Sequence, residues 1–438
     1  NGVQMRGGVQ EVGLMHYWAR TALALNLLFR KHAGDPDQIE EKLPGLVGTI
    51  DTILAGGGYD VLPLTDLADQ DDLMPFVRGG FERGVDDESW DYLNIEGKYQ
   101  NVSVPTFHIG GWYDCFIGET LLQYEAMKEV CRDAGIRPPR LMVGAWTHGD
   151  FGSTLGDLDF GIGSSGLFLN YRGDLTDAHL RWFDATLKGE ERALEGTPAV
   201  QVFVMGENRW RGYQEWPVPG SREEDWYLMS DRSLRREPGG TGDEPARYDY
   251  DPEDPVPTIG GSVLMADIHR PGPRDQRPIE SRTDVLVYTS PALEDPYTVL
   301  GSVYVTLFAA SSAPDTDFVA RLVDVYPDGR AICVADGILR ASARESYPAA
   351  GVVRPVAPSP IEPGEVYRYV IDLWATGLTF LPGHRIRVEI TSSSHPRWER
   401  NLNTGESAVR SSRIEVARQT IFHDAERPSR ITLTVVEG

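Results

Sequence analysis

The pattern of apolar and polar positions divides the chain into three stretches. From residue 12 to about 56 apolar residues recur at helical spacing. Leu14, Trp18, Leu23, Leu25, Leu27 and Leu28 form a broad apolar surface, and Gly34 with Pro36 ends the first segment. A second helix is predicted from Asp37 towards Ala55, interrupted near Pro44 and Gly45 and stopped by Gly56, Gly57 and Gly58. Residues 66–95 are acidic and mixed, without a clear period. Residues 1–95 are therefore assigned to a helical region.

The second stretch, residues 96–213, alternates strands and helices. Residues 102–109 are a short apolar run closed by Gly110 and Gly111, which suits a buried strand. Residues 119–133 carry Leu122, Met127 and Val130 on a predicted helix that Gly135 stops. Residues 141–143 predict another buried strand, followed by a loop through His148. Thr176 and Asp177 can cap a further helix carrying Leu180, Phe183 and Leu187. Strand, loop and helix repeated in this order is the α/β pattern.

In the third stretch, residues 214–438, helical signals fade. Residues 235–257 are rich in Pro, Gly and acid and are predicted as loop or linker. Strands are predicted at 285–288, 302–308, 318–325, 331–339, 367–374, 385–391 and 431–436, with a turn at Pro327, Asp328 and Gly329. Many short strands joined by turns predict a β-sandwich or jelly roll. The fold class is thus α/β plus β.

Composition narrows the function classes. The 438 residues suit two or three domains. With 42 Lys and Arg against 66 Asp and Glu, the net charge is −24. Such a surface repels phosphate backbones and anionic lipid, so neither nucleic acid nor a membrane is expected as a partner. The best apolar run, residues 12–29, is broken by His16 and Arg20 and does not predict a membrane span. Nothing at the start reads as a signal peptide, so a cytoplasmic location is expected. Cys115, Cys131 and Cys333 match neither a disulfide framework nor a zinc spacing. No metal and no cofactor are expected.

Candidate chemistry sits just past two predicted strands. Asp114 follows the first and His148 the second, where functional groups gather in open α/β sheets. In α/β-hydrolases the triad runs Ser, then Asp or Glu, then His, and these two residues fit the last two places. The acid would hold the imidazole tautomer, and the imidazole would act as general base and then acid. On the sequence alone they read equally well as a loop carboxylate and a structural histidine. Trp112, Tyr113, Phe116 and Trp146 could line an apolar pocket or belong to the core, with Phe116 the favoured pocket wall. Asp315, Asp317 and Asp324 lack the spacing of a calcium loop and are expected as strand-edge acids. His108 is expected in the sheet, His179 on an exposed helix, and His384 and His395 flanking a strand. The sequence has no Gly-x-Ser-x-Gly elbow. Residues 161–166 (GIGSSG) come closest, but with the wrong spacing and after His148.

Several segments together resemble the cocaine-esterase-like (CocE/NonD) serine hydrolases, relatives of X-Pro dipeptidyl-peptidases and α-amino-acid ester hydrolases. They are residues 86–90 (DDESW), 111–116 (GWYDCF), 144–148 (GAWTH), 203–206 (FVMG) with Trp210, Trp216 and Pro217, and 250–257 (YDPEDPVP). The β half adds 275–278 (DQRP), 315–318 (DTDF), 322–330 (LVDVYPDGR), 380–385 (FLPGHR) and 401–405 (NLNTG). The resemblance implies an α/β-hydrolase domain, a helical cap inserted in it, and a C-terminal jelly roll. By position it implies Asp114 as triad acid, His148 as triad base and Phe116 beside the acyl pocket. Phe380 and Leu381 fall in a jelly-roll loop that approaches the site.

The family's nucleophile elbow and oxyanion tyrosine precede the cap. The chain begins at the cap with Asn1, not Met, so the expectation is an N-terminally truncated sequence. It would be inactive alone and poorly soluble, since central strands would be missing. The ester-hydrolase branch that binds substrate ammonium follows its Asp with acidic residues. Here Cys115, Phe116 and Ile117 follow, which favours an apolar acyl group. The function expected of the parent protein is hydrolysis of a small-molecule carboxylic ester or amide through an acyl-enzyme. X-Pro dipeptidyl-peptidase activity and an inactive binding module stay open, as does a homodimer.

Overall fold

The computed structural model describes residues 4–68, 73–269 and 271–437. The described chain opens with two short antiparallel strands, Met5–Arg6 and Val9–Gln10, rather than with helix. This hairpin docks far away in sequence, where Arg340 N donates to Gly7 O at 2.8 Å. Helix α1 (Val12–Trp18), a π-turn (Ala19–Leu23) and α2 (Ala24–Lys31) follow as one helical run.

Helix α3 (Pro36–Leu54) is capped by Asp35, whose carboxylate accepts from Gln38 N. It passes through Pro44 without the interruption the sequence suggested. Proline there removes one backbone donor, and the carbonyl left without it is that of Glu40, an exposed residue that water can satisfy. Helices α4 (Leu64–Ala68) and α5 (Pro75–Glu82) follow, with one further helical turn at Trp90–Leu93. The core of this region holds Leu14, Leu28, Ile53, Tyr59 and Phe81, and also Cys115.

Strand β1 (Phe107–Tyr113) runs parallel to β2 (Arg140–Thr147), which runs parallel to β3 (Val200–Val204). Strand β4 (Arg209–Tyr213) closes the sheet antiparallel. Helix α6 (Ile117–Ala134) connects β1 to β2, and α7 (Leu175–Leu187) lies between β2 and β3. Strand β1 starts later than the apolar run suggested, because Pro105 has no donor for a ladder. It continues through Gly110 and Gly111. A side chain at Gly111 would put its Cβ 2.3 Å from the Trp146 carbonyl oxygen. Glycine here lets β1 press against β2 and carries the chain on to Asp114.

The remainder is a two-layer β structure. One sheet contains β5 (Arg222–Leu228), β7 (Tyr297–Ser311), β10 (Tyr367–Phe380) and β12 (Arg430–Val435), hydrogen-bonded in the order β5-β12-β7-β10. The other contains β6 (Leu286–Thr289), β8 (Asp317–Val325), β9 (Ala331–Arg340) and β11 (Arg385–Thr391), in the order β6-β11-β8-β9. Strands β6 to β12 lie where the apolar runs placed them, within a few residues at most ends. Strand β5 begins with four charged residues, Arg222 to Asp225, and has only a short apolar stretch at its end, Trp226 to Leu228. Residues Ala246–Tyr250, inside the expected linker, form a further strand that buries Tyr248 and Tyr250.

One apolar core joins the α/β sheet to the β layers, with Leu141, Val143 and Val202 in the same cluster as Leu300, Val305 and Leu378. Met205 N donates to Gly377 O at 2.9 Å and Thr379 N to Met205 O at 2.9 Å, so backbone pairing also crosses the junction. No helix among the described residues is long and apolar enough to cross a membrane.

Candidate active site

The turn after β1 fixes a carboxylate. Asp114 N donates to Gly111 O at 2.9 Å, and the Asp114 carbonyl accepts from Ile117 N at 3.1 Å. Its Oδ1 accepts from Phe116 N at 2.9 Å. The carboxylate therefore sits at the start of the 18-residue helix α6, where unpaired backbone donors favour negative charge.

The turn after β2 fixes an imidazole. Thr147 N donates to Asp150 O at 3.1 Å, and Asp150 N donates to the Thr147 hydroxyl at 3.0 Å. His148 emerges from this turn with Nδ1 3.2 and 3.3 Å from the two Asp114 oxygens. The Phe116 ring meets the imidazole edge-on, with centroids 4.8 Å apart. Because β1 and β2 are parallel neighbours, residues 34 apart in sequence meet at their carboxyl ends. The carboxylate is mostly covered and the imidazole is 43% exposed. With Nδ1 held by the acid, Nε2 is the nitrogen left for proton transfer.

The Asp114 hydrogen bond raises the His148 pKa above its ordinary value, outweighing the opposing effect of burial. The sign is that of a partner that stabilises the imidazolium. In an NMR titration, His148 should therefore lose its proton above pH 6.5. Asp114→Asn should bring the midpoint back down. The pair's contribution to stability is complete below the unfolded-state pKa and is lost as pH rises through the folded one. A midpoint unaffected by Asp114→Asn would show that the two side chains do not interact in solution.

The structure brings Asp114, Phe116 and His148 together. It sets the other two named residues elsewhere. Phe380 ends β10, paired with Tyr297 and fully buried in the main core. Leu381 lines a cavity of about 340 Å³ with Tyr113, Tyr326 and His384, and that lining includes neither Asp114 nor His148. Trp112 and Trp146 are core residues, with indole N–H groups bonded to Phe203 O at 2.7 Å and Ser164 O at 2.8 Å.

The other expected bystanders have structural partners. His108 bonds the Thr106 hydroxyl at 3.0 Å. His384 meets Asp324 at 2.8 Å and His395 meets Asp60 at 3.0 Å. Asp317 is paired with Arg340 at 2.9 Å. Missed from the sequence was the place of Cys115. Its sulfur lies within 4.8 Å of ligand atoms of both Asp114 and His148. Burial raises its thiol pKa far above the ordinary value, and Asp114 adds to this. Adjacency to Asp114 was visible, but a following residue usually points away.

Residues 1–150 match the family model for X-Pro dipeptidyl-peptidase (S15 family). Residues 192–432 match that for the X-Pro dipeptidyl-peptidase C-terminal non-catalytic domain. Cocaine esterase of Rhodococcus sp. (strain MB1 Bresler) is 39% identical over 395 residues, covering 87% of this chain and 65% of the esterase. An aminopeptidase from a marine sediment Thaumarchaeota archaeon superposes with TM-score 0.75 at 25% identity, over 85% of this chain and 62% of its own. An α-amino-acid ester hydrolase superposes with TM-score 0.73 at 25% identity, over 88% of this chain and 64% of its own. The chain thus spans just under two thirds of each of these relatives. With a parallel sheet that ends in an Asp–His pair, a C-terminal β domain and these matches, the chain belongs to the cocaine-esterase-like (CocE/NonD) hydrolases related to the S15 X-Pro dipeptidyl-peptidases.

Proposed function

We propose that the protein is a serine hydrolase that cleaves small-molecule carboxylic esters through an acyl-enzyme. In this reading His148 is the general base and Asp114 orients it. The observation that carries the reading is the hydrogen-bonded Asp114–His148 pair at adjacent parallel strand ends. The serine attacks the ester carbonyl while His148 Nε2 takes its proton. The imidazolium, stabilised by Asp114, then returns the proton to the departing alcohol. Water activated by the same base releases the acid.

The nucleophile comes from polypeptide outside these 438 residues. Two features support this. Strand β1 is a parallel strand at a sheet edge, a place where such strands usually have neighbours. Helix α7 exposes Leu180, Phe183 and Leu187, an apolar stripe suited to cover. Cys115 does not fill the role, since it is buried and, with no metal bound, its raised pKa keeps it a thiol.

The helical region is a cap over the site: Phe116, whose ring touches His148, packs on the helical core. The β domain is a jelly roll. With the eight strands β5 to β12 lettered B to I, the sheet orders above read B-I-D-G and C-H-E-F, the jelly-roll arrangement. Phe116 gives the acyl pocket an apolar wall, and the residues after Asp114, Cys115 to Ile117, include no acid for a substrate ammonium.

X-Pro dipeptidyl-peptidase activity is the second reading, favoured by the S15 match over residues 1–150. In the polypeptide that carries the nucleophile, p-nitrophenyl acyl esters should be turned over faster than Gly-Pro-p-nitroanilide. Faster cleavage of the anilide would overturn the esterase reading.

A further inference from the structure

We propose that Asp114, Cys115 and His148 form a binding site for one zinc-type cation, which takes up the donors that otherwise make the Asp–His hydrogen bond. Among the described residues this is the one group of three His, Cys, Asp or Glu side chains with ligand atoms all within 4.8 Å of one another. Tetrahedral zinc, with bonds of about 2.0–2.3 Å, holds neighbouring donors roughly 3.3–3.8 Å apart. The Nδ1 to carboxylate distances of 3.2 and 3.3 Å are close to that edge already. The Cys115 sulfur, within 4.8 Å of both, has to move closer for all three to bind one ion.

The donor types select the metal. A thiolate with an imidazole and one carboxylate suits zinc, whereas magnesium and calcium prefer oxygen-only shells. The frame is also held in place. Phe116 N anchors Asp114 Oδ1, and Cys115 belongs to the helical core that also holds Leu14 and Tyr59. The exposed edge of His148 is the way in. Three protein donors leave a fourth position for water.

Binding is balanced as follows. The Cys115 S–H bond breaks, its proton goes to solvent, and a zinc–sulfur bond forms. The Nδ1–H···O bond to Asp114 breaks. The imidazole gives its Nδ1 proton to solvent, takes one up at Nε2, and binds as the neutral ring through Nδ1. Asp114 binds through one oxygen. A zinc-loaded site would no longer have its base oriented by its acid. The inhibitory consequence rests on the hydrolase reading above, whereas the binding does not.

The test is a zinc chloride titration of the 438-residue chain by calorimetry, with cobalt(II) as a spectroscopic probe. One metal per chain is expected, with proton release and a thiolate-to-cobalt charge-transfer band. Cys115→Ala and His148→Ala should each weaken binding by more than about 10–100-fold, the loss seen even when only a ligand's hydrogen-bond partner is removed. Circular dichroism checks the fold of Cys115→Ala, and the exposed His148 gives a variant with an unaltered core. No binding by the wild-type chain, or binding unchanged in either folded variant, overturns the proposal.

Discussion

Replacing His148 by alanine in the polypeptide that carries the nucleophile should lower kcat for ester hydrolysis by about 10⁴–10⁶, with little change in KM. The size follows from the roles assigned above. Without the imidazole the serine keeps its proton, and no group returns a proton to the leaving alcohol. Triad members act as a unit, so Asp114→Asn added to His148→Ala should cost little more. Asp114→Asn alone should lower kcat by about 10⁴, because an amide in this place supports the wrong imidazole tautomer. Both side chains sit at turns whose backbone bonds do not depend on them, apart from the Phe116 N contact, so the variants should fold. Retained turnover in His148→Ala would sink the general-base assignment. It would leave the zinc site to stand or fall on its own titration.

Arg397→Ala should have the largest effect on stability, lowering the unfolding free energy by about 3–5 kcal/mol in urea. Arg397 is almost fully buried. Its guanidinium donates to Asp336 Oδ2 at 2.5 Å and to Glu11 Oε2 at 3.4 Å. It also lies 4.3 Å from the centre of the Trp398 ring, whose N–H donates to Glu11 Oε1 at 2.8 Å. Arg6 closes the group through the Asp336 carbonyl at 2.6 Å.

Removing Arg397 leaves two acids buried with too little positive charge, and that penalty dominates. Burial pushes the Asp336 pKa up, but Arg397 and Arg6 outweigh it and hold the group below the usual carboxylate range. The stability this supplies is present above the unfolded pKa and is lost as pH falls through the folded one. The variant should therefore also unfold at a higher pH on acid titration. The exposed Arg132–Asp133 pair is the control, and Arg132→Ala should change nothing measurable. A loss for Arg397→Ala no larger than the control's would mean that water replaces the guanidinium.

What the sequence revealed depended on how locally each feature is encoded. Strands β8 and β9 were legible because apolar-rich runs bounded by turn residues mark buried strands, and β11 by its alternation of apolar and polar residues. Strand β5 was not, since its first four residues are charged and its burial comes from partners about 70 and 200 residues away. Helix α3 was legible except for its continuity, because the effect of a proline depends on whether the freed carbonyl can reach water.

The Asp114–His148 pair was legible as two strand-end positions, but its geometry needed the parallel register of β1 and β2. Cys115 beside that pair was not legible, because neighbours along a chain do not reveal which way their side chains turn. Nor was the Glu11–Arg397–Asp336 group. Its members carry no motif, and only the fold brings them together.

The docked hairpin at residues 5–10 sets a time order on how the molecule is made. Arg6 reaches Asp336, 330 residues further along. At about 5–20 residues per second, roughly 20–60 seconds of synthesis separate the two. Throughout that interval the hairpin and the first helices have no β domain to close against. Their apolar faces must wait on the ribosome or be shielded there by another protein. The hairpin thus waits longer for its native partners than the segments made after it, so a protein with this hairpin should depend on chaperones during its synthesis.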